Sequence, residues 1–367
     1  MAERVVVAMS GGVDSSVAAA RLVDEGYEVV GVTLHLWDQP EDGGHGRCCA
    51  PEDVRDARHV ADQLGFRHYA LDRRDLFRRS IVEPFVDEYL AGRTPSPCAT
   101  CNQQIKIPEL LRVARMLGAP KVATGHYARI IHVPSGHVRV ARGLDRHKDQ
   151  SYFLYALAPD VLARVCLPLG ETHKRLVRAE ALQRGLVGAG KGESQDLCFI
   201  AGGDYIEFVE QRAGSRTRPG RILDEQGQQL GWHRGVHRFT LGQRKGLGMA
   251  AGQPVFVTRI DPASGDIVVG AASSLLAAEL WIGRPSWADG AEGQTRASVQ
   301  VRYRHEGALA TLHPEGCDLR VVFDEPIRAP SPGQVAVAYD GDVVVAGGVI
   351  DKVLPASIAY PRRPLAT

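Results

Sequence analysis

The sequence predicts an α/β protein with a doubly wound parallel sheet, followed by a small β-rich domain and a C-terminal β-barrel. Short β-branched runs alternate with helical segments over about the first 200 residues, which is the pattern of parallel βαβ units. From about residue 214 onward, most segments have the alternation and turn residues of strands. A length of 367 residues allows two or three domains, and we predict them at 1–210, 211–275 and 276–367.

The elements of the first domain follow from hydrophobic spacing and from turn residues. Residues 4–9 are a nearly continuous β-branched run, as expected of a strand buried on both faces. Gly26 and Gly65 mark helix ends, because glycine readily adopts the left-handed conformation found there. In chain order we predict strand 4–9, helix 17–24, strand 28–34, helix 51–64, strand 68–71, helices 74–91 and 103–117, and strand 121–125.

The later elements are mostly strands. We predict them at 256–260, 267–269, 297–304, 319–323, 334–339 and 343–350. The Asp340-Gly341-Asp342 turn between the last two strands is a strong hairpin signal. We interpret the segment 271–279 as a short helix or a linker.

Composition excludes several broad classes of protein. The net charge of +1 excludes a chain that is basic throughout, but it allows a local basic face. The seven cysteines, an odd number in a chain of this length, argue against a secreted disulfide scaffold. The sequence has neither a signal-peptide pattern nor an apolar run long enough for a membrane span. We therefore expect a cytoplasmic protein that does not bind a membrane.

A glycine loop joins the first strand to the first helix. Its sequence, SGGVDSS at 10–16, lets the backbone approach a phosphate, and the start of the helix supplies N–H groups. The loop has no lysine, which excludes a Walker A loop, and its adjacent glycines do not fit a dinucleotide fingerprint. Asp14 is suited either to hold a divalent cation on the phosphates or to cap the helix. The loop resembles the PP-loop of the ATP pyrophosphatases, which cleave ATP to AMP and pyrophosphate.

Two cysteine segments are candidates for chemistry. Cys98 and Cys101 form a C-x-x-C pair behind two prolines, with Cys101 at or near the start of a helix, where the helix dipole favours a thiolate. Cys198 lies far downstream. Three interpretations of this cysteine pattern are open: half of a zinc site, a thioredoxin-like redox pair, or sulfur chemistry with a distant cysteine. No second C-x-x-C pair exists, so we predict no metal site, and for a lone Cys198 an inert buried thiol is the default.

Taken together, the motifs are similar to those of the bacterial tRNA-specific 2-thiouridylase family, which installs sulfur at C2 of the wobble uridine of tRNA. The resemblance covers nearly the whole chain. It rests on AMSGGVDSS at 8–16, AGRTPSPCATCNQQIK at 91–106, ATGHYAR at 123–129, GLDRHKDQSYFLY at 143–155, DLCFI at 196–200, HRFTLGQRKGLG at 237–248 and VRYRH at 301–305.

The resemblance implies an ATP-dependent tRNA-uridine 2-sulfurtransferase. Residues 1–210 would form the PP-loop catalytic domain, and the C-terminal barrel would contact tRNA. Leu34 and Gly125 would line the adenine and ribose pocket, and Mg²⁺ would accompany ATP as its counter-ion. The loop residues that would bind ATP are Ala8, Met9, Ser10, Gly11, Gly12, Val13, Asp14 and Ser15.

The resemblance also implies a mechanism that uses two cysteines. ATP would adenylate O2 of a uridine turned out of the tRNA loop, releasing pyrophosphate. Persulfide sulfur on Cys198 would attack C2 and displace AMP. Cys101 would then release 2-thiouridine by forming a Cys101–Cys198 disulfide, which a reductant would reopen.

The remaining implied contacts are with tRNA and with a sulfur donor. Ser96, Pro97 and Cys98 would touch the target base, and His126 would approach the same nucleotide. The partners would be the wobble-uridine tRNAs for Lys, Glu and Gln, and a cysteine desulfurase or a sulfur-relay protein. Further tRNA contacts are implied for Lys148, Asp149, Gln150, Arg302, Tyr303 and Gln334.

Three alternative functions stay open at this point, and the first is a non-enzymatic metal- or RNA-binding protein, which would not need the intact SGGVDS loop. Some relatives have an acid where this chain has Cys98, so a thiolate set of Cys98, Cys101 and Cys198 could hold an iron–sulfur cluster in a different kind of tRNA thiolase. Another ATP pyrophosphatase, such as an amidating synthetase, would need none of these cysteines. The sequence predicts no role for Cys48, Cys49, Cys166 and Cys317.

A basic stretch supports RNA binding independently of the motifs. Between residues 212 and 248, eight basic residues stand against two acidic ones. Contacts of such residues with phosphates give an affinity that falls with salt. A solvated charged surface is the alternative interpretation.

Overall fold

The structure is a computed structural model. It describes residues 2–38, 51–133, 136–190, 197–200, 203–248, 253–288, 293 and 295–356, so Cys48 and Cys49 lie outside the described residues. The α-helices are α1 Val13–Asp24, α2 Pro51–Leu64, α3 Arg74–Phe77, α4 Glu83–Leu90, α5 Pro97–Cys101, α6 Ile107–Met116, α7 Pro159–Leu162, α8 Lys174–Gln183 and α9 Tyr205–Ala213. The strands are β1 Arg4–Ala8, β2 Glu28–His35, β3 Arg67–Asp72, β4 Lys121–Ala123, β5 Ala128–His132, β6 Val138–Arg142, β7 Val165–Cys166, β8 Gly220–Leu223, β9 Gln229–His233, β10 Phe256–Asp261, β11 Asp266–Gly270, β12 Leu276–Trp287, β13 Thr295–Gln300, β14 Ala308–Glu315, β15 Asp318–Arg328, β16 Val335–Asp340 and β17 Val343–Pro355.

The chain divides into two compact units. The first comprises Met1–Val82, Pro97–Asp204 and Asp342–Val344. The second comprises Glu83–Ser96, Tyr205–Gly341 and Val345–Thr367. The boundaries that we placed at 210 and 275 stay predictions. None of the described helices is long and apolar enough to cross a membrane.

A five-stranded parallel sheet organises the first unit. Its strand order is β3-β2-β1-β4-β7, with β1 in the middle. Val5, Val6 and Val7 of β1 have no exposed surface, which explains the continuous β-branched run in the sequence. The predicted doubly wound fold is confirmed, and its strands all end at one edge, where such sheets bind ligands.

The two long helices predicted at 74–91 and 103–117 are each interrupted by one π-helical turn. These turns span Arg78–Val82 and Asn102–Lys106. Each turn ends two residues before a proline, Pro84 or Pro108. Proline has no N–H to donate and its ring collides with the carbonyl four residues earlier, so the helix widens locally instead of continuing regularly.

A β-hairpin that the sequence analysis missed follows β4. Strands β5 and β6 pair antiparallel across residues 128–142, and Val343 at the start of β17 pairs with Ala141. The segment 143–155 follows β6 directly in the chain and belongs to the same unit as the parallel sheet.

The second unit contains two β structures. A small sheet has the order β10-β11-β8-β9. Six strands in the order β12-β15-β14-β13-β16-β17 form an antiparallel sheet, and pairing of β12 with β17 closes it into a barrel. Leu280, Val321 and Ile350 lie fully buried in the barrel core. The predicted β-rich region and C-terminal barrel are therefore confirmed.

The prediction of a helix or linker at 271–279 is wrong in its second half. A 3₁₀ turn spans Ala272–Leu275, and β12 begins at Leu276. The strand is fixed by pairing with β15 and β17, which lie far away in the sequence. The local run of alanine and leucine gives no sign of that pairing, because strand formation depends on distant partners.

Candidate functional site

The glycine loop leads from β1 into an uncapped helix. Gly12 is the N-cap of α1, and no side chain makes a capping hydrogen bond there. The hydroxyls of Ser15 and Ser16 instead donate to the carbonyl of Gly12, each at 3.0 Å. The first N–H groups of α1 are therefore available to an anion such as a phosphate. This arrangement excludes the capping role that we considered for Asp14.

Two glycines allow the backbone of this loop to pack closely against its neighbours. Gly11 has a φ of +70°, and a Cβ atom there would collide with the carbonyl oxygen of Asp53 in α2. Gly125, just beyond β4, lies so close to the loop that a Cβ atom would be 2.9 Å from the backbone of Asp14 and Ser15. The structure thus brings the predicted Gly125 against the predicted ATP loop.

Asp14 is held by two side chains that the sequence analysis did not identify. The hydroxyl of Tyr127 donates to Oδ1 at 2.6 Å. The ammonium of Lys174, the first residue of α8, donates to Oδ1 and Oδ2 at 2.6 and 2.7 Å. The side chain of Lys174 is only 12% exposed, so this ion pair is partly shielded from water. Tyr127 lies within the ATGHYAR motif, whereas nothing local in the sequence singles out Lys174.

The segment predicted to bind tRNA is tied to the same network. Gln150 accepts from the backbone N–H of Tyr127 at 2.9 Å through its side chain, and its own N–H donates to the carbonyl of Tyr127 at 2.8 Å. Asp149 is buried, and its carboxylate accepts hydrogen bonds from Gly143 and from the Ser151 backbone and hydroxyl. Lys148 is half-buried in the turn that precedes them.

His126 is a neutral imidazole in this setting. It is half-buried, and its Nδ1 shares a hydrogen bond of 2.7 Å with the hydroxyl of Thr124. Burial, together with the nearby charge of Lys106, lowers the pKa of His126 to about 3. The ring therefore presents a neutral hydrogen-bonding group, and it carries no charge at neutral pH.

Cys101 lies near the start of a helix, not at its first residue. The helix begins four residues earlier, at Pro97, so Cys101 closes its first turn and leads into the π-helical turn. Cys101 is buried and Cys98 is exposed. The next residue, Asn102, is buried and donates from Nδ2 to the carbonyl of Phe153 at 3.4 Å. This bond places Cys101 beside the 151–153 turn that follows Gln150.

Cys198 lies in a short turn between Leu197 and Ile200. The N–H of Ile200 donates to the carbonyl of Leu197 at 3.1 Å, and Cys198 is half-buried. Both Cys101 and Cys198 are present as thiols and are not joined to each other. Within the described ranges, no three Cys, His, Asp or Glu side chains gather as a bound metal ion requires. The arrangement needed for the cluster alternative is therefore not seen among the described residues.

The predicted tRNA contacts of the second unit form a separate group. Gln334 donates from its side-chain amide to the carbonyls of Thr94 and Pro95, at 3.0 and 3.3 Å, and so supports the segment that contains Ser96. Arg302 is exposed, and Tyr303 is half-buried. These residues belong to the second unit, whereas Pro97 and Cys98 belong to the first.

Among the described residues, ion pairs are found for three of the eight basic residues of the basic stretch. Arg216 pairs with Asp87 at 2.6 Å, Arg221 with Asp266 at 2.6 Å, and Arg238 with Glu210 at 2.6 Å. Arg212 instead stacks on the ring of Phe208 at 3.7 Å. Within the part of the chain that the structure describes, no ion pair is found for Arg218, Arg234, Arg244 and Lys245.

Family models match the chain in three consecutive regions. They are described as a tRNA methyl transferase HUP domain at 3–202, a tRNA methyl transferase PRC-barrel domain at 206–271, and an aminomethyltransferase beta-barrel domain at 277–350.

Curated relatives match over nearly the full length. The tRNA-specific 2-thiouridylase MnmA of Sorangium cellulosum is 54% identical, over 97% of this chain and 94% of that protein. Proteins of the same name are 47% identical in Moorella thermoacetica, over 95% of this chain and 99% of the relative, and 45% identical in Carboxydothermus hydrogenoformans, over 96% and 98%.

Solved structures resemble the chain only weakly. A 4-thiouridine synthetase–RNA complex with bound ATP has a TM-score of 0.32 and 17% identity, covering 58% of this chain and 51% of that one. The NMN synthetase of Francisella tularensis has a TM-score of 0.31 and 15% identity, covering 59% and 87%.

Proposed function

The chain belongs to the tRNA-specific 2-thiouridylase family, and from this membership we propose which of its residues act in each step of ATP-dependent tRNA thiolation. Its relatives over nearly the full length are named tRNA-specific 2-thiouridylases, and the protein is accordingly a tRNA sulfurtransferase. We assign ATP binding to the loop Ala8–Ser15 with Leu34 and Gly125, and sulfur transfer to Cys101 and Cys198.

One observation carries this assignment. The ring of Phe199, next to Cys198, contacts Trp37, which follows the carboxyl end of β2. The glycine loop follows the carboxyl end of β1, which pairs in parallel with β2. Cys198 and the loop therefore lie at the same edge of one sheet, as a reaction between an ATP-activated base and a sulfur carrier requires.

The chemistry follows from that placement. The uncapped start of α1 binds the ATP phosphates, and ATP adenylates O2 of the uridine with release of pyrophosphate. The terminal sulfur of a Cys198 persulfide attacks C2 and displaces AMP. The Cys101 thiolate attacks the Cys198 sulfur, so the S–S bond to the transferred sulfur breaks, 2-thiouridine leaves and a Cys101–Cys198 disulfide forms. A reductant restores both thiols.

Several partners belong to the proposal. Mg²⁺ would enter as the counter-ion of the triphosphate; Asp14 is the carboxylate at this loop, and its oxygens are already engaged by Lys174 and Tyr127. The tRNAs would be those for Lys, Glu and Gln with a wobble uridine, read through Ser96, Pro97, Cys98, His126 and the segment 148–150, with Arg302, Tyr303 and Gln334. A cysteine desulfurase or sulfur-relay protein would load the persulfide, in the cytoplasm.

The test is a thiolation assay with the full chain. Unmodified lysine tRNA transcript, ATP, Mg²⁺ and a persulfide-generating cysteine desulfurase are incubated with the protein, and 2-thiouridine is measured by mass spectrometry of nucleosides. We expect Cys101→Ser and Cys198→Ser each to abolish the product, because each removes one partner of the sulfur-release step. Cys317→Ser, an exposed cysteine of the second unit, is the matched control and keeps activity. Full activity of either active-site variant contradicts the assignment.

A further inference from the structure

The turn that contains Cys198 is held in place by the burial of the two residues that follow the cysteine. Phe199 is 3% exposed and Ile200 is 2% exposed, whereas Cys198 itself is half-buried. The backbone bond from Ile200 to Leu197 closes the turn at 3.1 Å. The cysteine is therefore presented at the surface of a turn whose other end is buried in the unit.

Three aromatic rings form the contact that buries this turn. Phe199 lies 5.6 Å from Phe77 and 6.3 Å from Trp37 between ring centroids, both in edge-to-face geometry. Trp37 and Phe77 also contact each other at 6.3 Å. We call Trp37, Phe77 and Phe199 the aromatic anchor. Aromatic pairs prefer edge-to-face or offset arrangements at such centroid separations, so these contacts favour one orientation of the Phe199 ring.

The partners of Phe199 come from the edge of the sheet that binds ligands. Trp37 stands two residues beyond β2, and Phe77 is the last residue of α3, which begins just after β3. The two strands are parallel and end in register, with His35 opposite Asp72. The aromatic anchor thus joins the Cys198 turn to the ends of two rigid strands beside the glycine loop.

We infer that Phe199, held by Trp37 and Phe77, is a positioning residue that fixes the sulfur of Cys198 relative to the activated base. This inference rests on the proposed role of Cys198. Sulfur attack at C2 requires the reacting atoms to approach within about 3–3.5 Å, and a displacement of about 1 Å can reduce the rate about a hundredfold. ATP binding and adenylation do not involve Cys198, so loss of the Phe199 ring should leave them unchanged.

The experiment separates the two half-reactions in single-turnover conditions. Pyrophosphate release is measured with ATP and unmodified tRNA without a sulfur source, and 2-thiouridine formation is measured after loading of the persulfide. For Phe199→Ala we expect thiolation to slow about 10–100-fold while the rate of pyrophosphate release stays within about twofold of the wild type. Trp37→Phe keeps a ring in the anchor and should retain thiolation within about threefold, whereas Trp37→Ala should behave as Phe199→Ala does.

Two further variants make each outcome decisive. Phe66→Ala removes a partly buried ring packed on the core of the same unit, and it should affect both half-reactions equally or not at all. Equal losses of both half-reactions in Phe199→Ala, or wild-type thiolation in that variant, would overturn the inference. Cys198→Ser is assayed in parallel. Full thiolation by Cys198→Ser would refute the proposed role of Cys198. An inactive Cys198→Ser together with a fully active Phe199→Ala would refute only the positioning role of Phe199. Should Phe199→Ala not fold, the Trp37 pair decides alone.

Discussion

Removing one hydroxyl beside the glycine loop tests the proposed geometry of the site directly. Tyr127 donates to Asp14 Oδ1 at 2.6 Å from a ring that is 3% exposed, so Tyr127→Phe deletes this bond and leaves the packing intact. A hydrogen bond to a charged group contributes about 1.5–3 kcal/mol. Asp14 keeps Lys174 as a partner and is 34% exposed, so we expect a smaller loss of about 1 kcal/mol.

Because 1.4 kcal/mol corresponds to a tenfold change, this loss predicts a kcat/KM for ATP that is about fivefold lower. The assay is the initial rate of pyrophosphate release over a range of ATP concentrations at saturating tRNA. Tyr155→Phe removes a phenol of the same unit that has no contact with Asp14 among those described, and it should leave the ATP kinetics unchanged. If Tyr127→Phe matches the wild type in kcat/KM for ATP, the orientation of Asp14 has no part in ATP use.

Three other predictions follow from the site and its surroundings. Gly125→Ala places a Cβ atom 2.9 Å from the backbone of the glycine loop, so kcat/KM for ATP should fall at least about tenfold in the same assay, and an unchanged value would show that the loop moves aside at little cost. The pKa of His126 is about 3 in the folded protein and 6.5 in the unfolded chain, so the unfolded chain binds more protons between these pH values. The free energy of unfolding, measured with urea, should therefore fall more from pH 7 to pH 4.5 in the wild type than in His126→Gln. Equal decreases in the two proteins would refute a buried neutral ring. Arg244→Ala should weaken tRNA binding and reduce its log–log salt slope by about one, whereas Arg221→Ala, which removes an arginine paired with an acid, should change the slope less; identical slopes would count against a phosphate contact.

The sequence predicts elements well where the determining signal is local. The sequence correctly predicts β1, because a continuous β-branched run identifies a buried strand without information from distant residues. The π-helical turns also have a local cause, since Pro84 and Pro108 follow them at the same spacing, but a helical period alone does not reveal a widened turn. The start of β12 depends on β15 and β17, so the local sequence could not reveal it.

The candidate site likewise combines features that the local sequence reveals with features that depend on distant residues. The motif identified the glycine loop, but the role of Asp14 depends on Tyr127 and Lys174, which are 113 and 160 residues away. Sequence spacing gave no reason to join them, because only the parallel sheet brings the end of β4 and the start of α8 to one edge. Asp149 lies in a motif that predicts a tRNA contact, and the fold adds that its carboxylate is buried and accepts hydrogen bonds from Gly143 and Ser151, which no spacing rule indicates.

Charge in the basic stretch is the clearest instance of a local count that folding changes. Asp87 and Glu210 precede the stretch and Asp266 follows it, yet each neutralises one of its arginines. A phosphate that approaches a paired arginine must compete with a carboxylate that is already in place, so such residues add little to affinity for RNA. The residues for which no ion pair is found in the described ranges are therefore the ones expected to contact tRNA phosphates, and they are Arg218, Arg234, Arg244 and Lys245. Half of the eight basic residues in the stretch are thus expected to contribute to the salt dependence of tRNA binding.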